Sequence, residues 1–160
     1  MAFPSPFTGV IQKVEDQWID YNGHFNMAYY NVIFDRAGDE VFALVGLGPD
    51  YVRSTNCSFF TLETHVTYVR ELHAGDAVRI DTQFLDHDAK RVHYVQQMFH
   101  AREGWLACAA ENIVMHIDMA AKKSAPFPAD ILENIKLMYT AHETLPVPPQ
   151  VGHRIGLPRK

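Results

Sequence analysis

A short polar turn near the start of the chain carries the residue types that could do chemistry. Asp20 is followed by Gly23, His24 and Asn26, and an apolar-striped segment begins at Met27. The first backbone N–H groups of a helix have no acceptor inside that helix, so they can bind a carbonyl oxygen that acquires negative charge. A carboxylate beside such donors could attack a carbonyl carbon or deprotonate a water molecule. The same residue types also form ordinary turns, so the elements that position them decide the interpretation.

One long helix is predicted directly after this turn. Asn26 is a good N-cap, and Gly46 with Pro49 ends the segment. The polar face of this segment is narrow, which indicates that the helix packs against a sheet over most of its circumference. The apolar positions recur at steps of three and four and are Met27, Tyr30, Phe34, Ala37, Val41 and Leu44.

The remainder of the chain predicts an antiparallel sheet. Four segments rich in β-branched and aromatic residues, 59–69, 77–85, 91–100 and 105–117, read as strands with short polar connections. Leu106 to Ala110 is apolar on both faces and predicts a central strand. Residues 10–14 predict a further short strand, and residues 130–139 a second helix. This element order is typical of the α+β class.

We expect a single domain over residues 1–145 and an extended, Pro-rich tail over residues 146–160. One helix can cover only one face of the sheet. The other face, or an edge strand, needs a partner, so a homodimer or a dimer of dimers is expected.

Composition excludes several classes of function. The 160 residues carry a net charge of −5, which argues against a nucleic-acid binder. Cys57 and Cys108 form no disulfide framework, and no secretory signal or spanning apolar stretch is found. A cytoplasmic protein without a membrane partner is therefore expected.

Recognised cofactor and catalytic motifs are missing from the sequence. The nine histidines form no pair at metal-ligand spacing and no cysteine lies beside them, so no metal site is predicted. The G-x-S-x-G elbow, the P-loop and the dinucleotide fingerprint do not occur.

The motif Asp20-x-x-Gly-His-x-Asn-x-Ala-x-Tyr30 resembles the signature of hot-dog-fold acyl-CoA thioesterases of the 4-hydroxybenzoyl-CoA thioesterase type, and the likeness extends over residues 8–120. The resemblance implies an antiparallel sheet wrapped around one long central helix, with Asp20 as nucleophile or general base. It also implies that the start of the helix polarises the thioester carbonyl. Many relatives carry a second aspartate where this chain has Trp18, which we expect to reshape the acyl pocket. The candidate catalytic set is Asp20, Gly23, His24, Asn26, Met27 and Ala28.

A narrower likeness, to the betainyl-CoA thioesterases of carnitine degradation, rests on four segments: 18–24, 61–68, 88–93 and 125–128. It implies a small acyl-CoA substrate, with coenzyme A as part of the substrate and no separate cofactor. A trimethylammonium group favours aromatic faces and a carboxylate. The candidate substrate contacts are Trp18, Tyr21, Phe25, Tyr29, Glu63, His65 and Tyr68. The candidate contacts to the CoA phosphates are Arg70, Lys90, Arg91, Lys122 and Lys123.

Two other functions remain open from the residues. His24 with Glu63 could serve a hot-dog enoyl-CoA hydratase or dehydratase, although Asp20 would then have no role. A non-catalytic acyl-CoA binding module is the second alternative. Glu111 lies inside an apolar strand, so we expect it to pair with His65, His93 or His116, because an unpaired buried carboxylate is costly.

Overall fold

The long helix α1 (Met27–Leu44) lies against one face of a seven-stranded sheet in the computed structural model, which describes residues 2–157. Two further helices are α2 (Pro49–Thr55) and α3 (Ala129–His142). The strands are β1 (Phe7–Thr8), β2 (Gln12–Lys13), β3 (Cys57–Tyr68), β4 (Ala77–His87), β5 (Arg91–His100), β6 (Leu106–Asp118) and β7 (Lys123–Ser124). None of the helices in this part of the chain is long and apolar enough to cross a bilayer.

The sheet is antiparallel throughout and has the order β1-β4-β5-β6-β3, with β2 on β4 and β7 on β6. Strand β6 lies between β5 and β3, which confirms the central position predicted from its apolar sequence. Strand β3 is the edge of the sheet on its side. One long helix packed on an antiparallel sheet confirms the predicted α+β hot-dog fold.

The core divides into two clusters along α1. Tyr30, Ile33 and Ala37, on its first half, pack with Ile80 and Met98 of the sheet. The second half packs on Phe84, Val92 and Val114, and α3 closes this cluster with Ile131, Ile135 and Met138. The periodic apolar face that predicts the helix is therefore the face that joins it to the sheet.

The predicted strand over residues 10–14 is confirmed only over Gln12–Lys13, as β2, and not as one continuous pairing. The chain makes two short pairings with β4 instead, and Val10 and Ile11 between them are 68% and 53% exposed. The Val10 N–H donates to a carboxylate oxygen of Glu40 on α1 rather than to a neighbouring strand.

The sequence also leaves α2 unpredicted. Gly46 ends α1 at a φ of +104°, as expected, but Pro49 then occupies the first turn of a new helix, where its missing N–H costs nothing.

Strand β3 carries an irregularity at Leu62. The register against β6 shifts between Thr61 and Glu63, and Leu62 is 50% exposed. Val66 packs against the core below α1, whereas Glu63 and His65 lie on the opposite face of the sheet. This face is called the outer face below.

The chain after α3 runs without helix or strand through residue 157, and Gly152 reaches the outer face, where its N–H donates to Glu111. The division at residue 145 into a domain and a tail stays a prediction. Met1 of the predicted domain and residues 158–160 of the predicted tail lie outside the described residues.

Candidate active site

The signature turn, residues 20–26, is held in shape by its own backbone. The Asp20 N–H donates to the His24 carbonyl and the Gly23 N–H donates to the Asp20 carbonyl, each at 3.0 Å. A bridge between Ile19 and Phe25 closes the base of the turn. Gly23 has a φ of +78°, which residues with a Cβ rarely adopt. The bend therefore depends on a glycine at position 23.

The Asp20 carboxylate is oriented through one of its two oxygens. Oδ1 accepts the Asn22 N–H at 2.8 Å, in a local turn contact. Within residues 2–157, no hydrogen bond to Oδ2 is found. The side chain is only partly buried, so one oxygen is fixed while the other can reach a water molecule or a carbonyl carbon.

The start of α1 supplies one open backbone donor rather than three. The Asn26 side chain caps the helix by accepting the Ala28 N–H at 3.0 Å, and the Asn26 N–H donates to the Trp18 carbonyl at 3.0 Å. The predicted oxyanion donors of Asn26 and Ala28 are therefore occupied. Among the described residues, no acceptor is found for the Met27 N–H, which lies at the positive end of the helix dipole.

The His24 side chain contacts a neighbouring loop and not the Asp20 carboxylate. Its Nε2 lies 3.1 Å from an oxygen of Glu71, and its ring meets the edge of the His73 ring. The ligand atoms of His24, Glu71 and His73 all lie within 4.8 Å of one another, so these three exposed side chains could hold a metal ion. His24 precedes Glu71 by 47 positions and His73 by 49, so the spacing of the histidines in the sequence could not reveal this group.

The aromatic residues predicted to contact substrate differ in their exposure. Trp18 is 5% exposed and stacks between Phe25 and Tyr29, with ring centroids 5.9 and 5.6 Å away. Trp18 and Phe25 therefore belong to the core beneath the signature turn, whereas Tyr21 is 97% exposed at its tip. Tyr68 approaches the helix start, because its hydroxyl donates to the Met27 carbonyl at 3.0 Å.

Glu63 and His65 lie on the outer face, away from the signature turn. They line a cavity of about 970 Å³ between the sheet and residues 152–155, and His65 stacks on His153. Since His24 contacts Glu71, one protomer does not pair it with Glu63, as a hydratase site would need.

Glu111 lines the same cavity and pairs with His93 at 2.8 Å, which confirms one of its three predicted partners. Burial raises the pKa of the Glu111 carboxyl, but the Gly152 N–H and the His93 ring together outweigh burial and leave the pKa below its ordinary value.

The five cations predicted to bind CoA divide between the two ends of the sheet. Arg70 follows β3 at its Tyr68 end and lies 4.1 Å from the centroid of the Trp105 ring. The other four, Lys90, Arg91, Lys122 and Lys123, lie at the end where β3 begins at Cys57. A strand of 12 residues separates these ends, which is about 36 Å at roughly 3.3 Å per residue. One protomer does not bring these cations together.

A groove between α1 and β3 was not predicted. It has a volume of about 370 Å³, and we call it the inner groove. Its helix side begins at Asn31, one turn after Met27, and continues to Asp39. The lining residues are Asn31, Val32, Phe34, Asp35, Gly38, Asp39, Phe59, Thr61, Thr64, Tyr94, Gln96 and Asn112. The sequence signal for this groove was a pair of aspartates, Asp35 and Asp39, four positions apart on a helix predicted to face the sheet.

Comparison with known proteins gives relatives of one kind. The thioesterase-like superfamily matches residues 14–135. The betainyl-CoA thioesterase of Pseudomonas aeruginosa is 36% identical over 142 residues, which are 89% of each chain. The L-carnitine dehydrogenase/betainyl-CoA thioesterase of Rhizobium meliloti is 32% identical over 154 residues, which are 96% of this chain and 31% of that one.

Solved structures agree with these relatives. A Staphylococcus aureus protein determined in complex with CoA superposes with a TM-score of 0.90 at 32% identity, covering 96% of both chains. A putative thioesterase from Pseudomonas putida KT2440 superposes with a TM-score of 0.83 at 29% identity, covering 98% of this chain and 100% of that chain. The chain therefore belongs to the thioesterase-like superfamily of enzymes with the hot-dog fold.

Proposed function

We propose that this protein hydrolyses a small acyl-CoA to the free acid and CoA, with betainyl-CoA as its preferred substrate. The similarity to the P. aeruginosa betainyl-CoA thioesterase covers 89% of both chains, which supports the acyl group. The S. aureus neighbour was solved with CoA, which supports the carrier. The bifunctional relatives are matched over about a third of their length, and only their thioesterase activity enters the proposal.

The observation that carries the mechanism is that the signature turn leaves one carboxylate oxygen of Asp20 open and leads directly into α1, whose first residue, Met27, has an open N–H. The Met27 N–H and the helix dipole would stabilise the oxyanion that forms when the thioester carbonyl is attacked. As a general base, Asp20 takes a proton from water, and the hydroxide adds to the carbonyl carbon before the C–S bond breaks. As a nucleophile, Asp20 forms an acyl-aspartyl intermediate that water then cleaves.

The same proposal includes a homodimer, because the cations divide between the two ends of the sheet. Strand β3 is an edge whose exposed side chains include Phe60 and Leu62, 49% and 50% exposed. If two copies of β3 pair antiparallel about a two-fold axis, the Cys57 end of one lies beside the Tyr68 end of the other. Lys122 and Lys123 of one protomer would then approach the helix start of its partner, where CoA phosphates could bind.

The test is a thiol-release assay with a thiol-reactive dye over a panel of acyl-CoAs that includes betainyl-CoA. We expect release, with the highest kcat/KM for betainyl-CoA. If neutral short-chain acyl-CoAs are clearly better substrates, the betainyl assignment is wrong and the thioesterase assignment stands. If acyl-CoAs bind saturably without thiol release, the protein is a binding module. If enoyl-CoA is hydrated instead, the hydratase alternative is correct.

A further inference from the structure

The inner groove holds two carboxylates that have no cation beside them. Asp35 and Asp39 lie one helical turn apart on α1 and both line the groove. Within the described chain, neither forms an ion pair or a side-chain hydrogen bond. The neighbouring Arg36 is directed elsewhere, to Glu15 and to the face of the Trp18 ring. The groove therefore carries uncompensated negative charge.

A buried tyrosine faces the same two carboxylates. Tyr94 on β5 is only 5% exposed, and no partner for its hydroxyl is found among the described residues. Burial, and then the charges of Asp35 and Asp39, raise the pKa of this hydroxyl. Burial and the charge of Asp35 likewise raise the pKa of the Asp39 carboxyl. Asp35 and Asp39 are exposed whereas Tyr94 is buried, so the groove opens to solvent beside the two carboxylates and Tyr94 lies on its buried side.

Two aromatic rings lie on the sheet side of this space, beside the polar side chains of Thr61, Thr64, Gln96 and Asn112. Tyr94 and Phe59 both line the groove, and Phe42 packs between them with ring centroids 5.3 and 4.3 Å away. A quaternary ammonium ion cannot donate a hydrogen bond, so proteins bind it with aromatic faces and nearby negative charge.

The groove lies at a suitable distance from the proposed oxyanion donor. Asp35 is eight residues after Met27, which is about 12 Å along the helix axis at roughly 1.5 Å per residue. Side chains on a helix lean toward its N-terminus, which shortens this span. An acyl group whose ammonium is separated from the thioester carbonyl by one methylene would extend from the Met27 N–H to within contact of Asp35.

We propose that Asp35, Asp39 and Tyr94 form a subsite that binds the quaternary ammonium of a cationic acyl group. This inference rests on the proposed thioesterase function and adds the residues that select the substrate. Asp35 makes the nearer contact to the ammonium, Asp39 adds negative charge one turn deeper, and Tyr94 with Phe59 supplies the aromatic wall. Asp20 and Met27 act on the carbonyl and do not distinguish a cationic acyl group from a neutral one.

A pair of substrates of equal shape tests the subsite. Betainyl-CoA and 3,3-dimethylbutanoyl-CoA differ only by a quaternary nitrogen in place of a quaternary carbon. The wild-type protein should prefer betainyl-CoA. Asp35→Asn and Asp39→Asn should each lower kcat/KM for betainyl-CoA by about tenfold, because each carboxylate attracts the nearby cation. The values for the neutral substrate should stay within about twofold.

Glu133→Gln is the matched control, since it removes one negative charge from an exposed position on α3. It should leave the ratio of the two kcat/KM values unchanged. Tyr94→Leu removes the aromatic wall and should lower the same ratio. The subsite is overturned if the aspartate variants lower both substrates equally, or neither. If the wild-type protein releases no thiol from either substrate, the proposed function fails as well, and the two failures are distinguishable.

Discussion

At the residue scale, substitutions can separate the role proposed for the Asp20 carboxylate from the role proposed for the Met27 N–H. Asp20→Asn keeps the shape and the Oδ1 contact to Asn22 but removes the charge. We expect kcat for the best acyl-CoA to fall by about 10²–10⁴-fold, because general-base catalysis contributes that much. Asp16→Asn, at an exposed position four residues earlier, is the control. An Asp20→Asn protein with near wild-type kcat and unchanged circular dichroism would show that the mechanism is wrong.

Met27→Pro removes the proposed oxyanion donor without removing the helix. Proline fits the first position of a helix, and the extended Asn26 backbone, φ −63° and ψ 135°, suits a residue before proline. We expect kcat to fall by about 10²–10³-fold, the usual cost of one lost oxyanion donor. Met27→Ala changes the side chain and keeps the N–H, so it should retain most activity. Equal kcat values for the two variants would exclude the Met27 N–H as donor.

At the scale of elements, α1 contains a glycine where a helix would be more stable with alanine. Gly38 is buried and lines the inner groove, and a Cβ there would come no closer than 4.0 Å to Gln96 Nε2. Gly38→Ala should therefore raise the free energy of unfolding by about 0.5–1 kcal/mol. The methyl group narrows the groove, so kcat/KM for acyl-CoAs should fall severalfold. Urea titration and the thiol-release assay measure the two effects; unchanged kcat/KM would place the acyl group elsewhere.

Helix α3 is joined to β4 through a buried neutral histidine. His142 Nδ1 accepts the Phe84 N–H at 2.9 Å, and its Nε2–H donates to the Pro4 carbonyl at 2.9 Å. Burial lowers the pKa of His142 below 6.5, although the bond to Pro4 partly opposes this. Protonation would place a donor against the Phe84 N–H.

Because the folded pKa is lowered, the unfolded chain binds more protons between that value and 6.5. The contribution of His142 to stability is complete above pH 6.5 and is lost as the pH falls through the folded pKa. Urea unfolding at about pH 8 and about pH 5 should therefore show a larger loss of stability in acid for the wild type than for His142→Gln. Identical losses would contradict this role.

At the scale of the whole molecule, the free β3 edge is the expected dimer interface. Phe60→Lys with Leu62→Lys places two charges on this edge, which disfavours strand pairing. Light scattering after size-exclusion chromatography should give twice the mass of one chain for the wild type and the mass of one chain for the variant. The monomer should also lose activity, because it separates Lys122 and Lys123 from the helix start of the partner. Val10→Lys, at a position 68% exposed and away from β3, is the control.

The sequence by itself determined the elements that depend on local patterns. The 3.6-residue period and the Asn26 cap determine α1, and alternation with short polar turns determines the four long strands. The signature also identifies Asp20 as the candidate acid, because its turn chemistry is contained in seven consecutive residues. The strand predicted over residues 10–14 was too long and α2 was not predicted, since a short pairing and a helix that begins at a proline leave little periodic signal.

Only the tertiary structure decided which side chains meet. Asp35 and Tyr94 are 59 positions apart, and they share the inner groove because α1 crosses β5 there. Sheet pairing puts Glu63 and His65 on the outer face, and the buried stacking of Trp18 makes it a core residue. Local propensity depends on neighbours along the chain. A binding site instead brings residues together through strand register and helix packing, which depend on the whole core.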